Sequence, residues 1–193
     1  AAGDFDLIID KYQGSAEFED AYKYKLEGLY AEGRFAEAED VALKIQELEL
    51  SADLANAARG RQAEAVYSAA NELRGQENHL EAAEEFRRMA LDVPDAEFAH
   101  ASLNDAAFEF NLAGEFEQAA QTYLYLAEHY PLSEYADAAV FLAARIYLEE
   151  MNDYARGAVT FEQLASDYPD SEYAVDAILN SSYCYEKEDD WNS

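Results

Sequence analysis

Three copies of one short motif constrain the fold of this chain more than any other feature of its sequence. The motif is P-x-[AS]-E-[FY]-A, and its copies begin at Pro94, Pro131 and Pro169. The copies are therefore 37 and 38 residues apart, and the segments between them also align. A repeat of this length indicates a solenoid, in which each unit buries its apolar surface against the neighbouring units.

Each unit contains the pattern of two helices. Proline ends a helix because it has no backbone N–H and clashes with the preceding turn, so Pro131 and Pro169 each follow a second helix. We expect Ser133 and Ser171 to cap the first helix of the next unit. The rest of the motif then adds an extra turn to the start of that helix.

The apolar residues of the two helices follow different patterns. The first helix has apolar residues at i, i+3, i+4 and i+7, which is one helical face. In three units these positions are Val66-Ala69-Ala70-Leu73, Leu103-Ala106-Ala107-Phe110 and Phe141-Ala144-Arg145-Leu148. Arg145 departs from the pattern, so we expect that helix pair to be splayed slightly. The second helix has a small residue and, four positions later, an aromatic one: Ala82/Phe86, Ala119/Tyr123 and Gly157/Phe161.

This combined pattern resembles the tetratricopeptide repeat, whose 34-residue signature has small and aromatic residues at these positions and a proline at its end. The matching residues include Val66, Leu103 and Phe141; Ala70 and Ala107; Ala82, Ala119 and Gly157; and the three motif prolines. The longer spacing found here is similar to that of repeats in bacterial cell-envelope proteins. Examples are the lipoprotein of the outer-membrane β-barrel assembly machine and the Tol–Pal coordinator. The resemblance implies an all-α superhelix of antiparallel helix pairs that binds other proteins.

The repeat also defines the expected organisation of the chain. We expect a single array over residues 1–193, with four units at about 15–50, 51–94, 95–131 and 132–169. Partial units at 1–14 and 170–193 flank them, so we expect the array to be a fragment of a longer one; the alternative is that the last helix is itself the cap. Ala38 and Ala82 are 44 residues apart, so the second unit has a surplus within residues 50–62. We expect the surplus to extend a helix or add a turn, and the array to bend there.

The charge of the chain limits its partners. The sequence has 42 acidic and 13 basic residues, and its formal net charge of −29 argues against autonomous binding to nucleic acid or anionic membranes. Half of the residues are hydrophobic, so the chain can bury a core and differs from a disordered acidic tail. No apolar run reaches the ~18 residues of a membrane span. Two interpretations of the acidity stay open, namely adaptation to high salt and attraction of a basic partner.

The sequence contains none of the common catalytic or nucleotide-binding motifs. Cys184 is the only cysteine, so no internal disulfide forms, and we expect it to be a core or groove residue rather than a reactive thiol. Glu97 and His100 form one E-x-x-H pair, whereas a di-iron bundle needs two such pairs and two further glutamates. His79 stands where other units have an aromatic residue, and we expect it to replace a partly buried ring. We therefore expect no enzymatic activity, metal or cofactor.

The first helices of such an array line its concave face, so helical phase predicts which residues meet a partner. Asparagine can pair with a peptide backbone, and exposed aromatic side chains often anchor interfaces. The predicted partner-binding residues are Tyr30, Tyr67, Asn71, Arg74, Asn104, Asp105, Phe108, Asn111, Leu142, Ile146 and Asn180. For Phe108, Leu142 and Ile146, packing in the core is the alternative. We expect no C-terminal carboxylate ligand, because these residues do not form the clamp of Lys, Arg and Asn that some tetratricopeptide domains use.

These observations favour a non-catalytic scaffold that docks a protein or peptide on its concave face. The resemblance implies a bacterial envelope complex, in the periplasm or at the outer membrane after signal removal, with a cytoplasmic location as the alternative. Two other functions stay open. One is a structural module that self-associates by stacking its exposed end repeats, and the other is a regulatory arm of a larger multidomain enzyme.

Overall fold

The protein is a succession of α-helices in a computed structural model that describes residues 2–11, 15–48 and 50–191. The helices are α1 (Ala2–Lys11), α2 (Ala16–Ala31), α3 (Phe35–Glu47), α4 (Ala52–Gly75), α5 (His79–Asp92), α6 (Ala99–Leu112), α7 (Phe116–His129), α8 (Ala136–Arg145), α9 (Tyr154–Asp167) and α10 (Ala174–Trp191). A π-helical segment, Ile146–Glu150, continues α8. Each helix packs against the next one in the chain, as in an α-solenoid. The predicted all-α superhelix is confirmed.

Each of the four predicted full units contains one helix pair: α2 with α3, α4 with α5, α6 with α7, and α8 with α9. We call the two members of a pair the first and the second helix. The surplus of the second unit lies in α4, which has 24 residues and begins directly after Ser51. The surplus therefore extends a helix, and the bend of the array at this point stays a prediction.

One residue in the left-handed backbone region closes the turn inside each unit. These residues are Gly33 (φ 72°), Glu77 (φ 61°), Gly114 (φ 80°) and Asn152 (φ 52°). Glycine adopts this conformation without steric cost, and asparagine tolerates it better than most residues. The sequence therefore signals the turn in three units, whereas Glu77 adopts the same backbone conformation without such a signal.

The P-x-[AS]-E-[FY]-A motif forms two consecutive turns and not the extra helical turn that the sequence predicts. In its second copy, the N–H of Ser133 donates to the carbonyl of Tyr130 at 2.9 Å, and the N–H of Ala136 donates to the carbonyl of Ser133 at 3.1 Å. Pro131 is the second residue of the first turn, where its fixed φ is favoured. The other two copies have the same pair of backbone hydrogen bonds.

The motif serines act inside these turns, so the prediction that they cap a helix is wrong. The hydroxyl oxygens of Ser133 and Ser171 each accept a hydrogen bond of 3.2 Å from the N–H two residues later. The helices begin after that, at Ala136 and Ala174, and the N-cap residue of α8 is Tyr135 and not Ser133. A side-chain bond to the N–H two residues on is the ordinary local bond of a serine in a turn.

The first helix of the fourth unit is one residue out of the register predicted from the sequence. Its buried residues are Val140, Ala143, Ala144 and Tyr147, each 37 residues after Leu103, Ala106, Ala107 and Phe110. Ala144 therefore occupies the small position, while Arg145 is exposed and pairs with Glu149 at 2.6 Å. Arg145 does not lie at the helix crossing, so the reason for expecting a splayed helix pair is removed.

The spacing between equivalent positions of consecutive units changes from 37 to 38 residues within the π-helical segment. There the N–H of Met151 donates to the carbonyl of Ile146, five residues earlier, at 3.1 Å. A π-helical turn holds one residue more than an α-helical turn. The extra residue is thus absorbed before α9, and the equivalent positions of α7 and α9 are 38 residues apart.

The core runs through the stack as two main apolar clusters. One joins α2, α3 and α4 as far as Ala65, and the other extends from the end of α4 to α10. The predicted small and aromatic residues of the second helices are buried in the second cluster: Ala82 and Phe86, Ala119 and Tyr123, Gly157 and Phe161. A Cβ atom on Gly157 would lie 3.4 Å from Sγ of Cys184, so only a very small residue fits this crossing. The predicted pairing of small and aromatic residues is confirmed.

Candidate protein-interaction face

The outward residues of the first helices α4, α6 and α8 define a surface that we call the first-helix face. It consists of Tyr67, Asn71 and Arg74; Asn104, Asp105, Phe108, Asn111 and Leu112; and Leu142, Arg145 and Glu149. The repeat relates the residues of one helix to those of the next by 37 positions. Most of the residues predicted to bind a partner lie on this face.

Four of the predicted residues form a polar network between α4 and α6. The hydroxyl of Tyr67 donates to Oδ2 of Asp105 at 2.8 Å, and Nη1 of Arg74 lies 3.5 Å from Oδ1 of Asp105. The side chain of Asn71 donates to the carbonyl of Tyr67 at 2.8 Å and accepts a hydrogen bond from Arg74. Asp105 is thus held from two sides, which links the second unit to the third.

A buried glutamate that sequence reasoning missed extends this network. Glu109 of α6 is almost completely buried, and its Oε2 lies 2.6 Å from Nδ1 of His79. Its Oε1 lies 3.9 Å from Nε of Arg74. The guanidinium of Arg74 also lies 5.1 Å from the ring centroid of Phe86. A buried carboxylate is costly unless it is paired, so His79 and Arg74 compensate for its burial.

The two later equivalents of this pair are apolar. The positions equivalent to His79 and Glu109 are occupied by Phe116 and Ile146 in the next unit, and by Tyr154 and Cys184 in the one after. Those four residues all belong to the apolar cluster or pack against it. His79 therefore does replace a partly buried ring, as predicted. The signal that could have identified Glu109 is an acid at a position where the later equivalents, Ile146 and Cys184, are apolar.

The pKa values of the two tyrosine hydroxyls next to Asp105 are raised. Burial and the hydrogen bond to Asp105 raise the pKa of the Tyr67 hydroxyl. Burial, with the negative charge of Asp105, raises the pKa of Tyr123 to about 12. Both hydroxyls stay protonated at neutral pH, so the network acts to hold the two helices together.

Beside this network, α6 exposes two apolar side chains one helical turn apart. Phe108 is 49% exposed and Leu112 is 50% exposed. The residues equivalent to Phe108 on the neighbouring helices are Asn71 and Arg145, which are polar and have intramolecular partners. The apolar spot is therefore local to α6, and for Phe108 the structure favours the face over the core.

Two asparagines lie next to this apolar spot on α6. Asn104 and Asn111 are half-buried and lie on the same side of the helix as Phe108. Oδ1 of Asn111 is buried and is the one buried side-chain polar atom without a hydrogen-bond partner among the described residues. A buried acceptor without a donor is uncommon in proteins, so this amide has unused hydrogen-bonding capacity.

Leu142 lies at the edge of the first-helix face where it meets the core, and the remaining predicted residues lie elsewhere. Ile146 is buried in the core and Leu142 is half-buried against it, as the core alternative predicts. Tyr30 of α2 packs its ring 5.5 Å from that of Phe35 and lies under the guanidinium of Arg61. Asn180 is half-buried on α10, two units away from the network.

Cys184 is a core residue, as predicted, and burial raises the pKa of its thiol. In the described parts of the chain, no group of three or more His, Cys, Asp or Glu side chains is arranged to hold a metal ion. Over the same residues, no helix has both the length and the apolar character needed to cross a bilayer.

The fourth helix pair identifies the class of repeat. Residues 138–171 match the model of the tetratricopeptide repeat family. The match supports the tetratricopeptide prediction over less than half of the chain, and the internal repeat relates the other helix pairs to this one. It supports the repeat class and not the cell-envelope type. Tetratricopeptide repeats generally mediate protein–protein interactions.

Among solved structures, the crystal structure of BtubC (BKLC) from P. vanneervenii is similar to this chain at 16% sequence identity and a TM-score of 0.47. The similarity covers 99% of this chain and 81% of that one. The comparison with curated proteins gives no match.

Proposed function

We propose that the protein is a non-catalytic scaffold that binds a segment of a partner protein on its first-helix face. The observation that carries the proposal is the exposed pair of Phe108 and Leu112 on α6. These two side chains offer apolar contact area, and the polar network beside them is already satisfied internally. A partner segment therefore gains most from burying an apolar side chain at this spot.

The asparagines would supply the polar part of the interaction. Asn104 and Asn111 flank the apolar spot, and a carboxamide can both donate to and accept from a peptide backbone. The rigid connection of α4 to α6 through Asp105 lowers the conformational cost of binding, because the surface is ordered in advance.

A peptide display library tests this function without knowledge of the natural partner. Peptides selected on the wild type are titrated against Asn104→Ala/Phe108→Ala/Asn111→Ala, with Leu80→Gln/Leu91→Asn at exposed positions of α5 as the control. We expect at least a tenfold rise in Kd for the first variant and no change for the control. Equal affinity of the selected peptides for wild type and first variant would refute binding on this face.

We also propose that the scaffold works in the bacterial envelope, in the periplasm or in association with the outer membrane. The support is the long repeat, which resembles that of envelope proteins. Cell fractionation of the source organism with an antibody against this chain tests the location. Recovery in the periplasmic or outer-membrane fraction is expected, and recovery in the cytoplasm alone contradicts the proposal.

A further inference from the structure

A groove runs between the second helices α7 and α9, away from the first-helix face. Two clefts form it and share Leu124 as a wall. One, of about 710 Å³, reaches Leu132 and Tyr168, and the other, of about 370 Å³, reaches Tyr147 and Val159. We call the surface formed by these five residues the outer groove.

The preceding groove of the same array, between α5 and α7, is polar at the equivalent positions. Where the outer groove has Leu124, Leu132 and Val159, the preceding one has Arg87, Asp95 and Gln121. A guanidinium lies over the floor ring in both grooves, that of Arg87 at 4.9 Å from the centroid of Phe110 and that of Arg156 at 4.3 Å from the centroid of Tyr147, so the difference lies in the three equivalent wall positions. Three polar residues are thus replaced by apolar ones in a single groove, so the apolar surface is not a general property of the repeat.

Folding alone does not account for these apolar residues. Leu132 is 99% exposed and Val159 is 60% exposed, so neither contributes its full side chain to the core. Burial of such side chains is favourable only when another molecule covers them. The apolar character of the outer groove therefore points to a ligand that the described residues do not supply.

The charged side chains at the rim of the outer groove indicate the charge of that ligand. Glu128 and Asp167 line the groove and are exposed, and neither forms an ion pair with any residue that the structure describes. The nearby cation is already neutralised, because Arg156 lies 2.8 Å from Glu117 and 2.6 Å from Asp153. A ligand with positive charges beside its apolar residues matches this rim.

We infer that the outer groove binds an amphipathic helix of a partner protein that carries lysine or arginine beside its apolar stripe. The groove lies between two 14-residue helices, which gives it a length of about 20 Å. A helix of three to four turns fits this length, and docking of one helix into the groove between two others is a common mode of recognition. This inference is independent of binding at Phe108, because the two surfaces share no residue.

A pair of synthetic peptides tests the inference on the whole chain. One is an 18-residue peptide of leucine and lysine with its leucines at i, i+3, i+4 and i+7, and the other has the same composition in an order without an apolar stripe. Both carry the same charge, so general attraction to the acidic protein affects them equally. We expect the wild type to bind the striped peptide at least tenfold more tightly, measured by calorimetry in about 150 mM salt.

The variant Leu124→Arg/Leu132→Asp/Val159→Gln converts the outer groove to the residues of the preceding one without changing the net charge. We expect it to bind the two peptides equally. Leu132→Asn/Val159→Gln alters only exposed side chains and should weaken the striped peptide at least threefold. Leu43→Arg, at the equivalent position of α3, and Phe108→Ala, on the first-helix face, should bind like the wild type.

Three results would overturn the inference. The first is equal binding of both peptides to the wild type. The second is a triple variant that still prefers the striped peptide as strongly as the wild type does, and the third is loss of that preference in Phe108→Ala. Sedimentation tests whether a second copy of this chain is the occupant. Self-association of the wild type that the triple variant abolishes would replace the partner helix with that second copy.

Discussion

The hydroxyl of Tyr67 on α4 donates a hydrogen bond of 2.8 Å to Oδ2 of Asp105 on α6. The bond joins two consecutive units on the first-helix face, outside the apolar core. Arg74 approaches the other oxygen of the same carboxylate to 3.5 Å. Because both oxygens of Asp105 are engaged, the relative position of α4 and α6 is set at the place where we propose that a partner binds.

Replacement of Tyr67 by phenylalanine removes this bond and keeps the ring. A hydrogen bond to a charged acceptor contributes about 1.5–3 kcal/mol, so we expect Tyr67→Phe to lower the free energy of unfolding by an amount in this range. Urea denaturation measures the loss. Tyr183→Phe, on an exposed ring of α10, is the control and should change stability by less than about 0.5 kcal/mol. Equal effects of the two variants would show that the bond does not contribute.

The buried pair of His79 and Glu109 should behave as a coupled unit. His79→Phe introduces the aromatic residue of the next unit but takes away a partner of a buried carboxylate, so we expect a loss of about 2–4 kcal/mol. Glu109→Ile together with His79→Phe recreates the apolar pair of the next unit and should recover most of that loss. A double-mutant cycle from urea denaturation measures the coupling. Additive effects of the two changes would contradict it.

Much of the fold could be predicted because the sequence repeats its local signals. Pro131 and Pro169 mark the ends of second helices, and Gly33 and Gly114 mark the turns inside units. Each signal acts on the backbone within a few residues, so it can be recognised without knowledge of the tertiary structure. The small and aromatic pairs of the second helices could be predicted for the same reason.

The register of α8 could not be read from the sequence. Val140 and Phe141 are both apolar, and the residue added in the π-helical segment lies inside a continuous helix, where no turn residue marks it. Both a 37-residue and a 38-residue alignment therefore fit the pattern. This ambiguity explains why the sequence leaves Ile146 open between the partner-binding face and the core, whereas the structure places it in the core.

The site was predicted in part. Helical phase identified Tyr67 and Asp105, because both lie on the side of the first helices that is predicted to bind a partner. It missed Glu109, since an acid beside the core stripe looks like an ordinary surface residue until His79 is known to face it from another helix. The outer groove was missed because its apolar residues come from two helices and a turn, which no single helical period relates.

The cap of α9 should contribute stability that depends on pH. Asp153 accepts hydrogen bonds from the N–H of Arg156 at 3.0 Å and from its guanidinium at 2.6 Å. Burial opposes ionisation of Asp153, but these two bonds outweigh it and hold the pKa of the carboxyl below its ordinary value. A lowered pKa in the folded state means that the stabilisation is present above the unfolded pKa and is lost as pH falls through the folded one.

Asp153→Asn isolates this contribution, because asparagine also caps helices but does not ionise in this range. We expect the wild type to be the more stable protein at about pH 6, and the difference between the two to shrink towards about pH 3. Urea denaturation at each pH measures it. Asp170→Asn, at an exposed residue of the third motif copy, serves as the control. A difference in unfolding free energy between the wild type and Asp153→Asn that does not change with pH would contradict the prediction.

Salt should stabilise the whole chain. Its net charge of −29 causes self-repulsion that is screened least at low ionic strength. Screening also weakens ion pairs such as Arg88 with Glu39, but 42 acidic residues face only 13 basic ones, so repulsion dominates. We expect the melting temperature to rise by several degrees between about 20 mM and about 500 mM NaCl. An unchanged or lower melting temperature in the high-salt sample would show that self-repulsion is not significant.

Photo-cross-linking tests most directly whether a partner segment lies on the first-helix face. A benzophenone amino acid is placed at Phe108 on the first helix α6 or at Leu91 on the second helix α5, which are each 49% exposed. A peptide selected on the wild type is then bound and irradiated. We predict cross-linking from position 108 and none from position 91. Cross-linking from position 91, or from neither position while the peptide is bound, would contradict binding at Phe108.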